Sequence, residues 1–319
     1  MKLFLSFLFL LCSLAFPTPL TLTQTKAAEN GRTSPSFFFY PQTFSLAGLN
    51  INFVEVGKGP PMIFLHGLGG SWKDWTGNLP FFQTSYRTIA IDFPGFGDSD
   101  KPERNYSIDW LTATVDKFLQ EGKFEPAVIV GHSMGALVAI NLAAQSPERV
   151  KNLVLVDAVG IGDKADFLSY ALTKKIMGPE SRFETIEGLL RGEFKSMVED
   201  FIQRQKPKTA REFFESLPKS PFSGKSFLPM TPSVQMSASI IDSDLRPQLA
   251  AIRQPTLILW GAKDPVAPPQ DAPLLKSKIP HATLKVLEKC GHSPMKEQPE
   301  LFNQEVEKFL QAAASGSSK

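Results

Sequence analysis

A serine hydroxyl is a poor nucleophile unless it is exposed, aligned with a base and placed beside donors for the charge that develops on the attacked carbonyl. Ser133 stands where these conditions can be met together. It is the centre of Gly131-His132-Ser133-Met134-Gly135, a G-x-S-x-G sequence between the apolar run Ala127–Val130 and an Ala/Leu-rich stretch beginning at Met134. A strand, a sharp turn and a helix in that order lift the hydroxyl above a sheet, and the two glycines avoid clashes that side chains would cause. The Met134 N–H, at a helix N-terminus, then points at the developing oxyanion. A bare G-x-S-x-G is common by chance; in this setting it is specific. The chemistry it predicts is covalent catalysis through an acyl-enzyme, which requires no metal or organic cofactor.

Such a serine needs a base, and the base needs an acid to orient it. The chain has four histidines, His66, His132, His281 and His292. His132 adjoins the serine, and its side chain is expected to point elsewhere. His292 lies in Lys289-Cys290-Gly291-His292-Ser293-Pro294, directly after the strand-like run Thr283–Leu287. Two aspartates end strand-like runs: Asp264, after Leu257–Trp260, and Asp157, after Leu153–Val156.

The elements that must carry these groups alternate. Thr43–Ala47 and Leu49–Val56 read as a hairpin with Gly48 at the join, and Met62–Leu65 as a buried strand entering the turn His66-Gly67. Trp72–Leu79 reads as a short helix and Arg87–Asp92 as another strand. Ser107 caps a helix through Trp110, Leu111, Val115, Phe118 and Leu119. Strand Ala127–Val130, helix Met134–Gln145 and strand Asn152–Val156 follow. Pro255–Trp260 and Thr283–Leu287 are strands around a helical stretch near Leu274–Ile279. A last amphipathic helix carries Leu301, Phe302, Val306, Phe309 and Leu310. This alternation predicts an α/β fold with a mostly parallel central sheet and helices on both faces.

Between Val159 and Leu249 no strand-like run occurs, and Pro207, Pro218, Pro221, Pro229 and Pro232 punctuate helical stretches rich in Phe and Met. This predicts a helical cap, 159–249, inserted after the strand ending at Val156. The core is then 37–158 with 250–312. Residues 313–319 are expected to form a disordered tail. Phe167, Phe183, Phe194 and Phe201 are candidates for an apolar roof over the site, or for packing of the cap on itself.

Lys2 followed by the apolar stretch Leu3–Phe16 has the length of a signal-peptide core and is too short for an ordinary membrane span. Residues 1–16 are therefore read as a signal peptide or an uncleaved anchor, and 17–36 as a linker. Export, or association with a membrane through this segment, is the expectation. Cys12 and Cys290 are the only cysteines, so loss of the leader leaves no intrachain disulfide. Cys290 reads as a small packed residue. The 319 residues are 42% hydrophobic and 21% charged, with a net charge of +2 and no basic cluster, which argues against nucleic acid as a partner.

The chain resembles the α/β-hydrolase superfamily, in the capped branch that includes esterases, monoacylglycerol-lipase-like enzymes and meta-cleavage-product hydrolases. The resemblance covers about residues 40–312. It rests on the Ser133 turn, on His66-Gly67-Leu68-Gly69-Gly70, and on Asp92-Phe93-Pro94-Gly95-Phe96-Gly97-Asp98-Ser99. It implies His292 as base, in the order Ser…Asp…His, with Asp264 as acid and Asp157 as its rival. It implies Leu68 N–H as the second oxyanion donor beside Met134, and a structural role for Asp92. Ser133 sets the chain apart from epoxide hydrolases and haloalkane dehalogenases, which place a carboxylate there. Meta-cleavage hydrolases usually have a longer loop than HGLGG. An esterase acting on a small apolar ester is the expected function. The alternatives are C–C bond hydrolysis of a diketone-like substrate by the same triad, or a hydrolase-fold receptor with negligible turnover.

Overall fold

The computed structural model describes residues 37–162 and 231–316. The leader, the linker, residues 317–319 and most of the expected cap, including the phenylalanines named above, lie outside the described residues. Eight strands form one sheet: β1 (Gln42–Leu46), β2 (Leu49–Val56), β3 (Pro61–Leu65), β4 (Arg87–Ile91), β5 (Ala127–His132), β6 (Val150–Val156), β7 (Thr256–Gly261) and β8 (Ala282–Leu287). Their order is β1-β2-β4-β3-β5-β6-β7-β8. Pairing is antiparallel for β1–β2 and β2–β4, and parallel from β4 to β8. The expected α/β architecture is observed.

Local sequence explains the elements. Ala47 and Gly48 both take positive φ, 50° and 84°, as a two-residue hairpin turn demands. All six residues of β5 are buried, which fits a central parallel strand covered on both faces. Helix α2 (Ile108–Gly122) starts where the Ser107 hydroxyl accepts the Trp110 N–H at 3.2 Å, and buries Leu111, Val115, Phe118 and Leu119. Helix α3 (Met134–Gln145) is buried from Met134 to Ala143. Phe64, Trp75 and Phe302 pack in series with tilted rings, their centroids 5.1 and 6.3 Å apart. Each such side chain contributes roughly 1.5–3 kcal/mol by leaving water.

Three local expectations are corrected. The stretch Trp72–Leu79 is not one helix: a 3₁₀ turn spans Trp72–Trp75, and the short helix α1 spans Leu79–Phe82. Pro232 does not break a helix but begins α4 (Pro232–Asp242), with the Thr231 hydroxyl capping Val234 N–H at 3.4 Å. After α5 (Asp271–Lys278) and α6 (Pro294–Glu297), helix α7 (Pro299–Gly316) runs through part of the expected tail. Alanines 312–314 favour helix over coil.

Because β3, β5, β6, β7 and β8 run parallel, their C-terminal ends share one edge. His66, Ser133, Asp157, Asp264 and His292 all follow those ends. A crevice outside the carboxyl ends of the strands is where such sheets bind ligands.

Candidate active site

Ser133 follows β5 with φ 53° and ψ −116°. A non-glycine residue in such a conformation stores strain of about 1–3 kcal/mol and persists only where its surroundings enforce it. The enforcement is visible. Ser133 N–H donates to Val156 O on β6 at 2.9 Å, and Ala136 N–H to Ser133 O at 3.0 Å. A Cβ on Gly131 would collide with the backbone of Gly135, and one on Gly135 with Leu65 O. The serine is thus held above the sheet by two glycines that let strand and helix touch.

His292 meets it. Its Nε2 lies 3.0 Å from Ser133 Oγ, and its Nδ1 lies 2.7 Å from Asp264 Oδ2. The Asp264 side chain is fully buried, and its Oδ1 accepts the Val266 and Ala267 N–H groups at 2.7 and 3.0 Å. A carboxylate fixed in this way accepts a hydrogen bond from Nδ1–H and leaves the Nε2 lone pair facing the serine hydroxyl.

The loop after β3 passes over the nucleophile. A Cβ on Gly67 would lie 2.9 Å from His132 Nδ1 and 3.1 Å from Ser133 Cβ, so only a bare backbone fits. His66 anchors this loop: its Nε2 accepts Phe93 N–H at 3.0 Å, so its Nδ1 carries the proton and donates to Gly67 O at 2.7 Å. Burial lowers the pKa of His66 below the ordinary 6.5. Leu68 follows in the same turn, and Met134 opens α3; among the described residues, no backbone carbonyl outside the regular elements accepts either N–H. Asp92 takes the structural role expected of it, accepting from Asn52 Nδ2, Trp72 N–H and Asp98 N–H at 2.7–2.8 Å.

Asp264, rather than Asp157, contacts the imidazole. Asp157 ends β6 with φ 45°, and its Oδ1 accepts Gly261 N–H at 2.8 Å. His132 departs from expectation. Instead of pointing away, its Nε2 donates to the His292 carbonyl at 2.6 Å, and the two rings lie 4.8 Å apart. Burial first, then the neighbouring His292, hold the pKa of His132 well below 6.5. One contributor is absent from the sequence reading: the Glu297 carboxylate accepts Gly291 N–H at 2.7 Å and Ser293 N–H at 2.9 Å, clasping the backbone on either side of His292. His281 is exposed, and Cys290 is buried and free, packed in the core as expected.

His132, Asp157 and His292 bring donor atoms within 4.8 Å of one another. However, His132 Nε2 is committed to a carbonyl, and both His292 nitrogens to Ser133 and Asp264, so neither ring nitrogen of His292 is left for an ion. Ser133, His292 and Asp264 are hydrogen-bonded in series, the arrangement that a nucleophile, a base and an orienting acid require.

A family model described as the α/β hydrolase fold matches residues 60–299. A pimeloyl-[acyl-carrier protein] methyl ester esterase from Aeromonas hydrophila is 30% identical over 271 residues, covering 82% of this chain and all of that one. A 2-hydroxy-6-oxo-6-phenylhexa-2,4-dienoate hydrolase from Comamonas testosteroni is 29% identical, covering 83% of this chain and 92% of its own length. The crystal structure of an esterase from Exiguobacterium antarcticum superposes with a TM-score of 0.64 at 20% identity, covering 85% and 100% of the two chains, a likeness of fold alone.

Proposed function

We propose, on the premise that this chain belongs to the α/β-hydrolase fold family and is a hydrolase, that it cleaves carboxylic esters through an acyl-enzyme on Ser133. The observation that carries this is the unbroken relay from Ser133 through His292 to Asp264, at 3.0 and 2.7 Å. His292 accepts the Ser133 proton as Oγ attacks the carbonyl. The Met134 and Leu68 N–H groups stabilise the tetrahedral oxyanion, a contribution worth on the order of 10²–10³ in rate per donor. Asp264 holds the tautomer and stabilises the imidazolium. His292 returns the proton to the leaving alcohol, then activates the water that clears the acyl group. The similarity to the Aeromonas methyl ester esterase supports ester chemistry.

The similarity to the Comamonas hydrolase favours a second reading, C–C bond cleavage by the same residues. The short HGLGG loop speaks for the ester. The abundance of Phe, 26 residues, supports an apolar acyl group, and the apolar leader supports export or membrane anchoring.

Steady-state turnover of p-nitrophenyl esters of rising acyl length tests the reading. Each methylene buried in an apolar pocket contributes at most roughly 0.8 kcal/mol to binding, so medium chains are expected to exceed acetate in kcat/KM. Absence of turnover across the series, together with cleavage of a vinylogous diketone, would select the C–C hydrolase. Ligand binding without turnover of either substrate would select the receptor.

A further inference from the structure

Asp157 is fully buried between the nucleophile and the acid of the relay, yet the mechanism above leaves it idle. Its N–H donates to Leu259 O at 3.1 Å, and its Oδ1 accepts Gly261 N–H. Its Oδ2 is sealed from water with no donor in reach, and Asp264, just beyond the adjoining strand β7, is the neighbouring carboxyl that acts on it. The oxygens of Asp264 are already committed, to two amides and to His292. As two carboxylates the residues would place like charges side by side with no proton to share, an arrangement that pairs of buried acids avoid by retaining one proton. The titratable groups around Asp157 are His132 after β5, Asp264 after β7, and Cys290, His292 and Glu297 after β8. None of them is a fixed cation, and His132 is held neutral.

We infer that Asp157 is a neutral carboxylic acid whose Oδ2–H donates to the Asp264 carboxylate, which makes it a positioning residue for the relay. The inference rests on the proposed role of Asp264. Burial first, then the charge of Asp264, push the Asp157 carboxyl well above the ordinary carboxylate range, in agreement with the geometry. The proton keeps the pair at a single negative charge, and Asp157 becomes a fourth donor to the Asp264 carboxylate, beside the Val266 and Ala267 amides and His292. Loss of the proton at alkaline pH would set two buried carboxylates against each other and drive them apart.

The chemistry gives Asn a distinctive place. Asparagine at this position keeps an oxygen for Gly261 N–H and offers an amide donor to Asp264, whereas alanine offers neither. Removing a hydrogen bond to a charged group costs on the order of 10- to 100-fold, so Asp157→Asn is expected to exceed Asp157→Ala in kcat/KM by that factor. The alkaline fall in wild-type activity is expected to flatten in Asp157→Asn. An infrared difference spectrum, wild type minus Asp157→Asn at neutral pH, is expected to contain the carbonyl band of a protonated acid that shifts in D₂O. Equal activity of the Asn and Ala variants, or absence of that band, overturns the inference. If Asp157→Ala does not fold, the band and the alkaline limb of Asp157→Asn decide it. Failure of a fluorophosphonate to label Ser133 in the wild type would sink the hydrolase reading, and the infrared band would still report on Asp157.

Discussion

The carbonyl oxygen of His292 accepts a 2.6 Å hydrogen bond from the ring of His132, so the residue just before the nucleophile holds the backbone of the base. The ring that orients His292 in this way is buried and neutral, with Nδ1 facing Gly67 and no acceptor in reach. Protonating it would bury a charge without a partner, and that has a consequence for stability.

Acid should therefore unfold the protein earlier than its carboxylates alone would require. His132 and His66 have folded pKa values below 6.5, so the folded state binds fewer protons than the unfolded one just under that pH. Their contribution is complete above 6.5 and is lost as pH falls towards the folded values, by about 1.4 kcal/mol per pH unit for each group. Asp157, with its pKa raised, acts in the opposite sense, so a His132 variant isolates the histidine's share. Urea midpoints at about pH 7.5 and about pH 5.5 should show the drop, and a His132→Gln variant should show a smaller one. An unchanged slope in that variant would mean that His132 is protonated in the native state.

Ser133→Ala is expected to abolish ester turnover, by about 10⁶ in kcat, and to remove fluorophosphonate labelling, with the fold intact. Labelling that persists at another serine would refute the assignment. Ser133→Gly should be as inactive but more stable than Ser133→Ala by about 1 kcal/mol, because glycine relieves the strain at φ 53°. Thermal melts of the two inactive variants make that comparison.

Asp264→Asn should lower kcat by on the order of 10⁴-fold, because an amide cannot hold the imidazole tautomer in the same way. The loss in Asp157→Asn should be far smaller. The reverse order, measured on one ester, would transfer the orienting role to Asp157.

Glu297→Gln leaves one acceptor oxygen where two N–H groups now converge. The loop around His292 should loosen, with kcat falling by about 3- to 10-fold, less than a buried hydrogen bond to a charged group because these two are exposed, and KM little changed. Amide exchange at Gly291 and Ser293 should quicken in parallel. A change confined to KM would indicate that Glu297 acts on the substrate instead of the base.

The residues legible in sequence were those whose roles are set by near neighbours in the chain. Gly131 encodes a collision with Gly135 four residues on, and the apolar runs Ala127–Val130 and Leu257–Trp260 encode burial on both faces of a sheet. The choice between Asp264 and Asp157 could be stated but not settled, because it depends on the Val266 and Ala267 amides turning back onto one of the two carboxylates. His132 and Glu297 differ in what could have revealed them. The contact of His132 joins residues 160 positions apart, and nothing in either local sequence announces it. Glu297 lies only a few residues from His292, and its spacing from Ser293 at the start of a short helix was the available clue. The misreading of Pro232 has a simple cause: proline ends helices from within and begins them at the first turn, and only Thr231 as a cap distinguishes the two.

Strand β6 pairs directly with β7, although the stretch between Asp157 and Thr256 separates them in sequence. That stretch is gathered in once more where Gln235 and Ser239 of α4 accept the Tyr106 and Ile108 N–H groups ahead of α2. The sheet is thus closed by direct pairing of the strands on either side of residues 162–231. The entropy of closing a loop rises by only about 0.6 kcal/mol for each doubling of its length. A lineage can therefore lengthen, shorten or recombine that part of the gene while Ser133, Asp264 and His292 keep their register. The reaction centre can then be inherited unaltered, whatever the length of the segment inserted beside it.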